Sequence, residues 1–349
     1  MYNCKNYTAP IWKGNTMLYE SFLPVASRDV RLLYHADEIL EVRSMDQKRL
    51  FEPGRDYVLR DGGLYIPEGS AIRIMPWEEY NPQEKSKEKR TDIGFACKQG
   101  GYLLFSEGPF FHELEYCVSY RHSDVWTGDI PHADPAKLPL TKARLREGKP
   151  FTFGFLGDSI ATGANSSALI GCEPFAPIWP EMVCERLHEV CGSEIHYVNK
   201  SVGGMSSDWG VKVARESFEN DVPDVAMIAF GMNDATGRVD RYEFRDNTRK
   251  IAETIRELNP SCELLLVSTS LPNQLAPLFA SDHDTHELLL AKLCGEYGDA
   301  ADLIPMTQLH RVLLSRKNFW DMTGNNINHP NDFLARAYAQ AILAVLGVE

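Results

Sequence analysis

At 349 residues the chain exceeds the usual size of a single domain, so two domains, each able to bury a core, are the expectation. A hydrophobic share of 44% with scattered charge describes an ordinary globular protein. The excess of 49 acidic over 36 basic residues, a net charge of −13, argues against nucleic acid or an anionic membrane as partner, since both attract positive charge.

The chain opens with MYNCKNYTAPIWKGNTMLYE, which has no apolar segment behind a basic end, and no later run approaches bilayer length. A cytoplasmic location without membrane contact is therefore expected. Eight cysteines are scattered without CxxC pairs and read as buried free thiols rather than zinc ligands or disulfides. From Val30 to about His122, strand-like segments (VRLLYHA, EILEVRS, DYVLRDGGLYIP, AIRIM, GYLLFSEG, HELEYCVSY) alternate with turn signals such as EPG, DGG, PEG and KQGG. Residues 1–140 are thus expected to form a β-sandwich, jelly-roll-like, accessory domain. The charged run EYNPQEKSKEKRTD within it reads as a solvated loop. Between Asp134 and Pro150 the strand pattern is lost and three prolines occur, so residues 141–150 read as a linker.

From residue 151 to 349 the rhythm changes. Apolar strands of the doubly covered kind (FTFGFLG, EIHYVNKS, DVAMIAFG, CELLLVST, ADLIPM) alternate with helical stretches near Pro177–Val190, Ser207–Glu219, Tyr242–Leu258, Thr285–Tyr297 and Asp332–Leu346. This βαβα order predicts a parallel sheet with helices on both faces, whose ligands meet the loops at the carboxyl ends of the strands.

Three of those ends, and a fourth loop before the last helix, carry unusual residues: GDS at Gly157–Ser159, NKSVGGMSS at Asn199–Ser207, GMND at Gly231–Asp234 and NNINHPNDF at Asn325–Phe333. Singly, each has a bland reading as a turn, a tight bend, a helix cap or a helix start. Together they supply what ester hydrolysis needs: a hydroxyl, a histidine base and donors fixed in advance for an oxyanion. A serine, a glycine, an asparagine and a histidine in this order resemble the SGNH (GDSL-type) hydrolases, over roughly Phe151 to Glu349.

The resemblance implies an α/β/α sandwich with Ser159 as nucleophile, Gly204 and Asn233 as oxyanion donors beside the Ser159 N–H, and His329 as base. Asp158 and Asp234 are expected to hold loops. The family's last block reads DxxH, but Asn326 stands where its aspartate would orient the imidazole. Asn326 or Asp321 could take that role, or a backbone carbonyl, as in family members resembling this chain that include two-domain carbohydrate esterases. Asp332 reads as the cap or first turn of the closing helix.

Trp209 and Trp320 flank the blocks and could each form a flat wall for a sugar, with buried packing as the commoner fate. In SDHDTHE, His283, Asp284 and His286 have metal-like spacing, but no second cluster completes a set, so a helix start is expected and no metal. Neither a phosphate-cradling loop nor a dinucleotide fingerprint is present, and no cofactor is expected. The expectation is a serine carboxylic ester hydrolase removing O-acetyl groups from a carbohydrate, with a small-molecule or oligosaccharide ester as partner. A lysophospholipase or thioesterase acting on longer acyl groups, and a non-catalytic carbohydrate-binding protein, are the alternatives. Self-association into a homo-oligomer stays open, with assembly one use for the first domain.

Overall fold

The structure, a computed structural model, describes residues 2–85 and 92–348. Its first part carries helix α1 (Cys4–Thr8), strands β1 (Thr16–Phe22), β2 (Asp29–Val30), β3 (Ala36–Ser44), β4 (Val58–Arg60) and β5 (Gly63–Tyr65), helix α2 (Trp77–Tyr80), strands β6 (Asp92–Ala96) and β7 (Tyr102–Phe105), helix α3 (Phe110–Leu114) and strand β8 (Tyr116–His122). The strands are antiparallel, as expected, but they are shared among three small sheets, β1-β8-β3, β2-β5-β4 and β6-β7.

Several segments depart from the strand reading. VRLLYHA stays largely irregular because side chains take the place of a ladder: Leu33 N–H donates to Glu20 Oε1 at 2.8 Å and Tyr34 N–H to the Tyr120 hydroxyl at 3.1 Å. AIRIM touches Val25 only through an isolated bridge at Met75. HELEYCVSY divides into the end of α3 and β8. Of the charged run, Tyr80 and Asn81 are buried, while residues 86–91 lie outside the described residues.

The expected linker is mostly helix, α4 (Pro139–Glu147), and it is docked rather than free. Glu263 caps its first turn, accepting from Leu140 N–H at 2.9 Å and Thr141 N–H at 2.6 Å, and Leu145 is buried. After it come β9 (Phe151–Gly157), α5 (Trp179–Cys191), β10 (Ile195–Asn199), α6 (Ser207–Phe218), β11 (Val225–Ala229), α7 (Met232–Thr236), α8 (Arg241–Leu258), β12 (Glu263–Val267), α9 (His283–Glu296), β13 (Ala301–Ile304), α10 (Met306–Arg316) and α11 (Asp332–Leu346). The five strands form one parallel sheet in the order β10-β9-β11-β12-β13.

Strand alternation sends Leu156, Ala226, Ile228, Leu264 and Leu266 toward α6, α8 and α9. Phe153, Phe155, Met227, Leu265 and Val267 face the core that contains α5 and α11. The sheet is thus covered on both faces. Strand β9 lies between β10 and β11, so the connections leaving it and returning to its other side diverge there, and such a switch point opens a crevice at the strand ends.

The two parts do not have separate cores. Phe22, Val42 and Tyr120 of the antiparallel part belong to the same buried cluster as Phe153, Trp179 and all the apolar residues of α11. Every residue of α11 is buried, because α1 and β1 cover the face that α5 leaves open. Even Gln340 is paired, accepting from Ile11 N–H at 3.1 Å and donating to the Tyr7 carbonyl at 2.8 Å. A fully buried ion pair, Lys317 Nζ to Glu20 Oε1 at 2.5 Å, also crosses between the parts. Among the described residues, no helix is long and apolar enough to cross a membrane. All eight cysteines are free, five of them buried and three half-buried.

Candidate active site

Strand β9 ends at Gly157, where a side chain would stand 2.4 Å from the Ala229 carbonyl of β11, so only glycine lets the two strands run together to this point. Beyond it the chain turns sharply. Asp158 Oδ1 accepts from Ile160 N–H at 2.9 Å, and the Ser159 carbonyl accepts from the Thr162 hydroxyl at 2.7 Å and Ala164 N–H at 3.0 Å. Ser159, 7% exposed, is held just past the carboxyl end of β9.

Its Oγ lies 2.9 Å from His329 Nε2. The histidine sits on a loop knotted by Asn325, whose Oδ1 accepts the N–H groups of Ile327, Asn328 and His329 at 2.9, 3.0 and 3.0 Å. The His329 carbonyl is in turn bonded by Gly324 N–H and the Thr323 hydroxyl, each at 2.9 Å. On the far side of the ring, Nδ1 faces Asn165 Oδ1 at 2.8 Å and Glu107 Oε2 at 3.1 Å. The Asn165 amide donates to the carbonyls of Gly324 at 3.1 Å and Gly108 at 3.4 Å, so its oxygen must point at the ring. An acceptor at Nδ1 puts the proton there, which leaves Nε2 bare to receive the Ser159 hydroxyl proton.

The remaining two loops close on the same place. Val202 N–H donates to the Gly157 carbonyl at 3.1 Å, and a side chain at Gly203 would contact Ser159 Cβ at 3.7 Å. Gly204 follows at φ +78°, its N–H carried on an exposed turn. Asn233, in the first turn of α7, uses one N–H of its amide on the Met205 carbonyl at 2.9 Å and retains a second. Asp234 anchors the start of α6, accepting from Ser207 N–H at 3.0 Å and from its hydroxyl. Burial pushes the Asp158 carboxyl up to about 7 despite its bond from Ile160, with Asp234 adding to the rise. Burial likewise raises Asp234. For Glu107, burial works upward, but the His329 hydrogen bond, the ring's charge and the Asn325 amide outweigh it and hold the carboxyl below the usual range.

The model of the GDSL-like lipase/acylhydrolase family matches residues 155–337, more than half of the chain. The chain belongs to this family. Among solved structures, it is similar to a two-domain esterase active on acetylated mannans, at 22% identity, with 63% of this chain and 54% of that one covered and a TM-score of 0.50. The same kind of esterase co-crystallised with mannopentaose gives 20% identity, 63% and 55% coverage and a TM-score of 0.50. An acetylxylan esterase from Geobacillus stearothermophilus gives 17% identity, 57% and 95% coverage and a TM-score of 0.45. The likeness to the mannan esterases shows the fold, and the match spans about half their length. A comparison with curated protein sequences found no match.

Within this GDSL-family site, Ser159 and His329 meet directly, and the Gly204 and Asn233 loops flank them. The two residues considered for orienting the histidine lie elsewhere. Asn326 is fully buried, accepting from the Tyr80 hydroxyl at 2.8 Å and donating to the Leu104 carbonyl at 2.9 Å. Asp321 accepts from Leu23 N–H at 2.9 Å and Asn318 N–H at 3.1 Å. Asp332 opens α11 behind its cap Asn331 and accepts from Ser167 N–H at 2.9 Å.

Both tryptophans are half-buried in packing: Trp209 stands edge-on to Phe230, and Trp320 edge-on to Tyr80. The SDHDTHE residues do not converge: the His283 ring meets the Met232 carbonyl, His286 stacks on Phe244, and Asp284 is exposed. Sequence reasoning missed Asn165, although it lies inside the GDSIATGANSS loop and takes a positive φ of 66° that favours Asn. It also missed Glu107, which is 222 positions from His329.

Proposed function

We propose that this chain is a serine ester hydrolase that removes O-acetyl groups from a carbohydrate through an acyl-enzyme on Ser159. The observation that carries this reading is the 2.9 Å contact between Ser159 Oγ and a His329 Nε2 whose opposite nitrogen is committed to acceptors. As Oγ attacks the ester carbonyl carbon, Nε2 takes the hydroxyl proton. The carbonyl oxygen becomes an oxyanion facing the N–H groups of Ser159 and Gly204 and the free N–H of Asn233. The C–O bond to the alcohol then breaks, and the imidazolium returns its proton to that alcohol. Water repeats the sequence on the acyl-enzyme: Nε2 takes its proton, the acid leaves, and Ser159 Oγ recovers the proton. The acetyl and carbohydrate parts of the proposal draw support from the acetylated mannans named for the similar two-domain esterase.

Ser159→Ala tests the nucleophile. It is expected to abolish hydrolysis of aryl acetates and acetylated oligosaccharides and labelling by a fluorophosphonate, with an unchanged unfolding midpoint. Residual turnover of more than about 1% of wild type would overturn the assignment, given that loss of a nucleophile costs on the order of 10⁶. A series of esters of rising acyl length tests the substrate, with collapse expected beyond short acyl groups. Rising activity would point to long acyl chains instead.

A further inference from the structure

Resting on that reading of Ser159 and His329, we infer that the work of the usual triad acid is divided here: Asn165 fixes the imidazole tautomer, and Glu107, from the antiparallel part of the chain, supplies the negative charge. Two acceptors share one nitrogen, at 2.8 Å and 3.1 Å, and they differ in kind. Asn165 is 5% exposed and immobilised by Gly108, Gly324 and the ring, and a side chain at Gly324 would strike its Cβ at 2.5 Å. It is rigid but neutral, so it orients the ring without answering the charge that appears on it when Nε2 takes a proton.

Glu107 has the complementary property. It is ionised and faces the same nitrogen, and Asn325 Nδ2 donates to its other oxygen at 3.2 Å. Asn325 thereby ties the carboxylate to the loop it organises around His329. The turn that carries Glu107 docks twice, because the Gly108 carbonyl next to it is one of the acceptors that hold Asn165. The antiparallel part is therefore a component of the site, although the family match begins only at residue 155. Leu103, Leu104 and Phe111, which flank the turn, pack in one buried cluster with Ala276 and with Ile327 of the His329 loop, and this keeps the turn in place. Glu107 is half-exposed, so its attraction for the imidazolium is partly screened, and the dependence on it should fall short of that on a buried triad acid.

The test is Glu107→Gln, which preserves shape and the bond from Asn325 but removes the charge. The titratable groups that face His329 are Glu107 and Asp158, and Asp158 is common to both proteins. The expected result is a kcat lower by about ten- to a hundred-fold with KM within about twofold, and an acid limb of the kcat/KM profile moved to lower pH. The NMR titration of the His329 ring should move the same way, and this readout needs no substrate. Added salt should shift the wild-type limb downward and leave that of the variant still. An unmoved ring titration overturns the inference, as does a loss of rate with an unmoved limb, which would make Glu107 merely structural. A raised KM with an unmoved limb also overturns it, by making Glu107 a substrate contact. If wild type neither labels nor hydrolyses esters, the nucleophile reading fails separately, and the ring titration still decides whether Glu107 charges the histidine's surroundings.

Discussion

Replacing Asn326 separates stability from catalysis at the position where the chain departs from its family's DxxH pattern. Asn326→Ala removes the donor to the Leu104 carbonyl and the acceptor of the Tyr80 hydroxyl, both in a fully buried setting. Each group left without its partner costs about 1–3 kcal/mol. The backbone at φ +68° adds about 1–2 kcal/mol for a residue that, unlike Asn, gains nothing in the left-handed region. The sum, about 3–8 kcal/mol, is a large fraction of the stability of an ordinary domain. The Ser159–His329 pair is reached only indirectly, through Asn326 N–H on the Thr323 hydroxyl that bonds the His329 carbonyl, and alanine keeps that N–H.

Urea unfolding should therefore show a much lower midpoint, while kcat of the protein still folded in dilute buffer stays within about threefold of wild type. Asn326→Asp, which restores the family's residue, should not create a triad either. It sets a carboxylate oxygen against the Leu104 carbonyl and points at Tyr80, not at the ring. A loss of kcat on Asn326→Ala comparable to that of His329→Ala, with unchanged unfolding, would refute this reasoning.

Two further outcomes concern the rest of the molecule. Glu20→Gln leaves the Lys317 ammonium buried opposite a neutral amide and should cost about 3–5 kcal/mol in denaturant unfolding; a cost below about 1 kcal/mol would mean that the two parts are not joined through this pair. The Asp158 carboxyl is raised by burial from 3.8 to about 7, so between those values the folded chain holds a proton that the unfolded chain releases. Its contribution to stability is full below about pH 4 and is lost as pH rises through 7, on the order of a few kcal/mol. Asp158→Asn should remove that fall from a series of unfolding midpoints between pH 4 and 8, and an unaltered slope would show that Asp158 is ionised throughout.

The parallel sheet was legible because its signals are local. Runs such as FTFGFLG and CELLLVST are too apolar for any but a doubly covered strand, and α11 spans Asp332–Leu346, as its pattern predicts. The antiparallel part was less so. Its short strands depend on which side chains reach a backbone group: Leu32, Leu33 and Tyr34 look like a strand, yet Glu20 and Tyr120 take the N–H groups of Leu33 and Tyr34. Helix α4 was read as linker because it is held by Glu263, more than a hundred positions away.

The site divides in the same way. The order of Ser159, Gly204, Asn233 and His329 was legible in the sequence as a candidate set, because Ser159, Gly204 and Asn233 follow strands β9, β10 and β11 and His329 precedes α11, elements whose type their own neighbours dictate. What surrounds His329 could be decided only by the tertiary structure. A ring nitrogen takes as partner whichever acceptor folding brings within 3.1 Å, and here those acceptors are Asn165 and Glu107, while Asn326, three residues away, is drawn into the bonds of Tyr80 and Leu104.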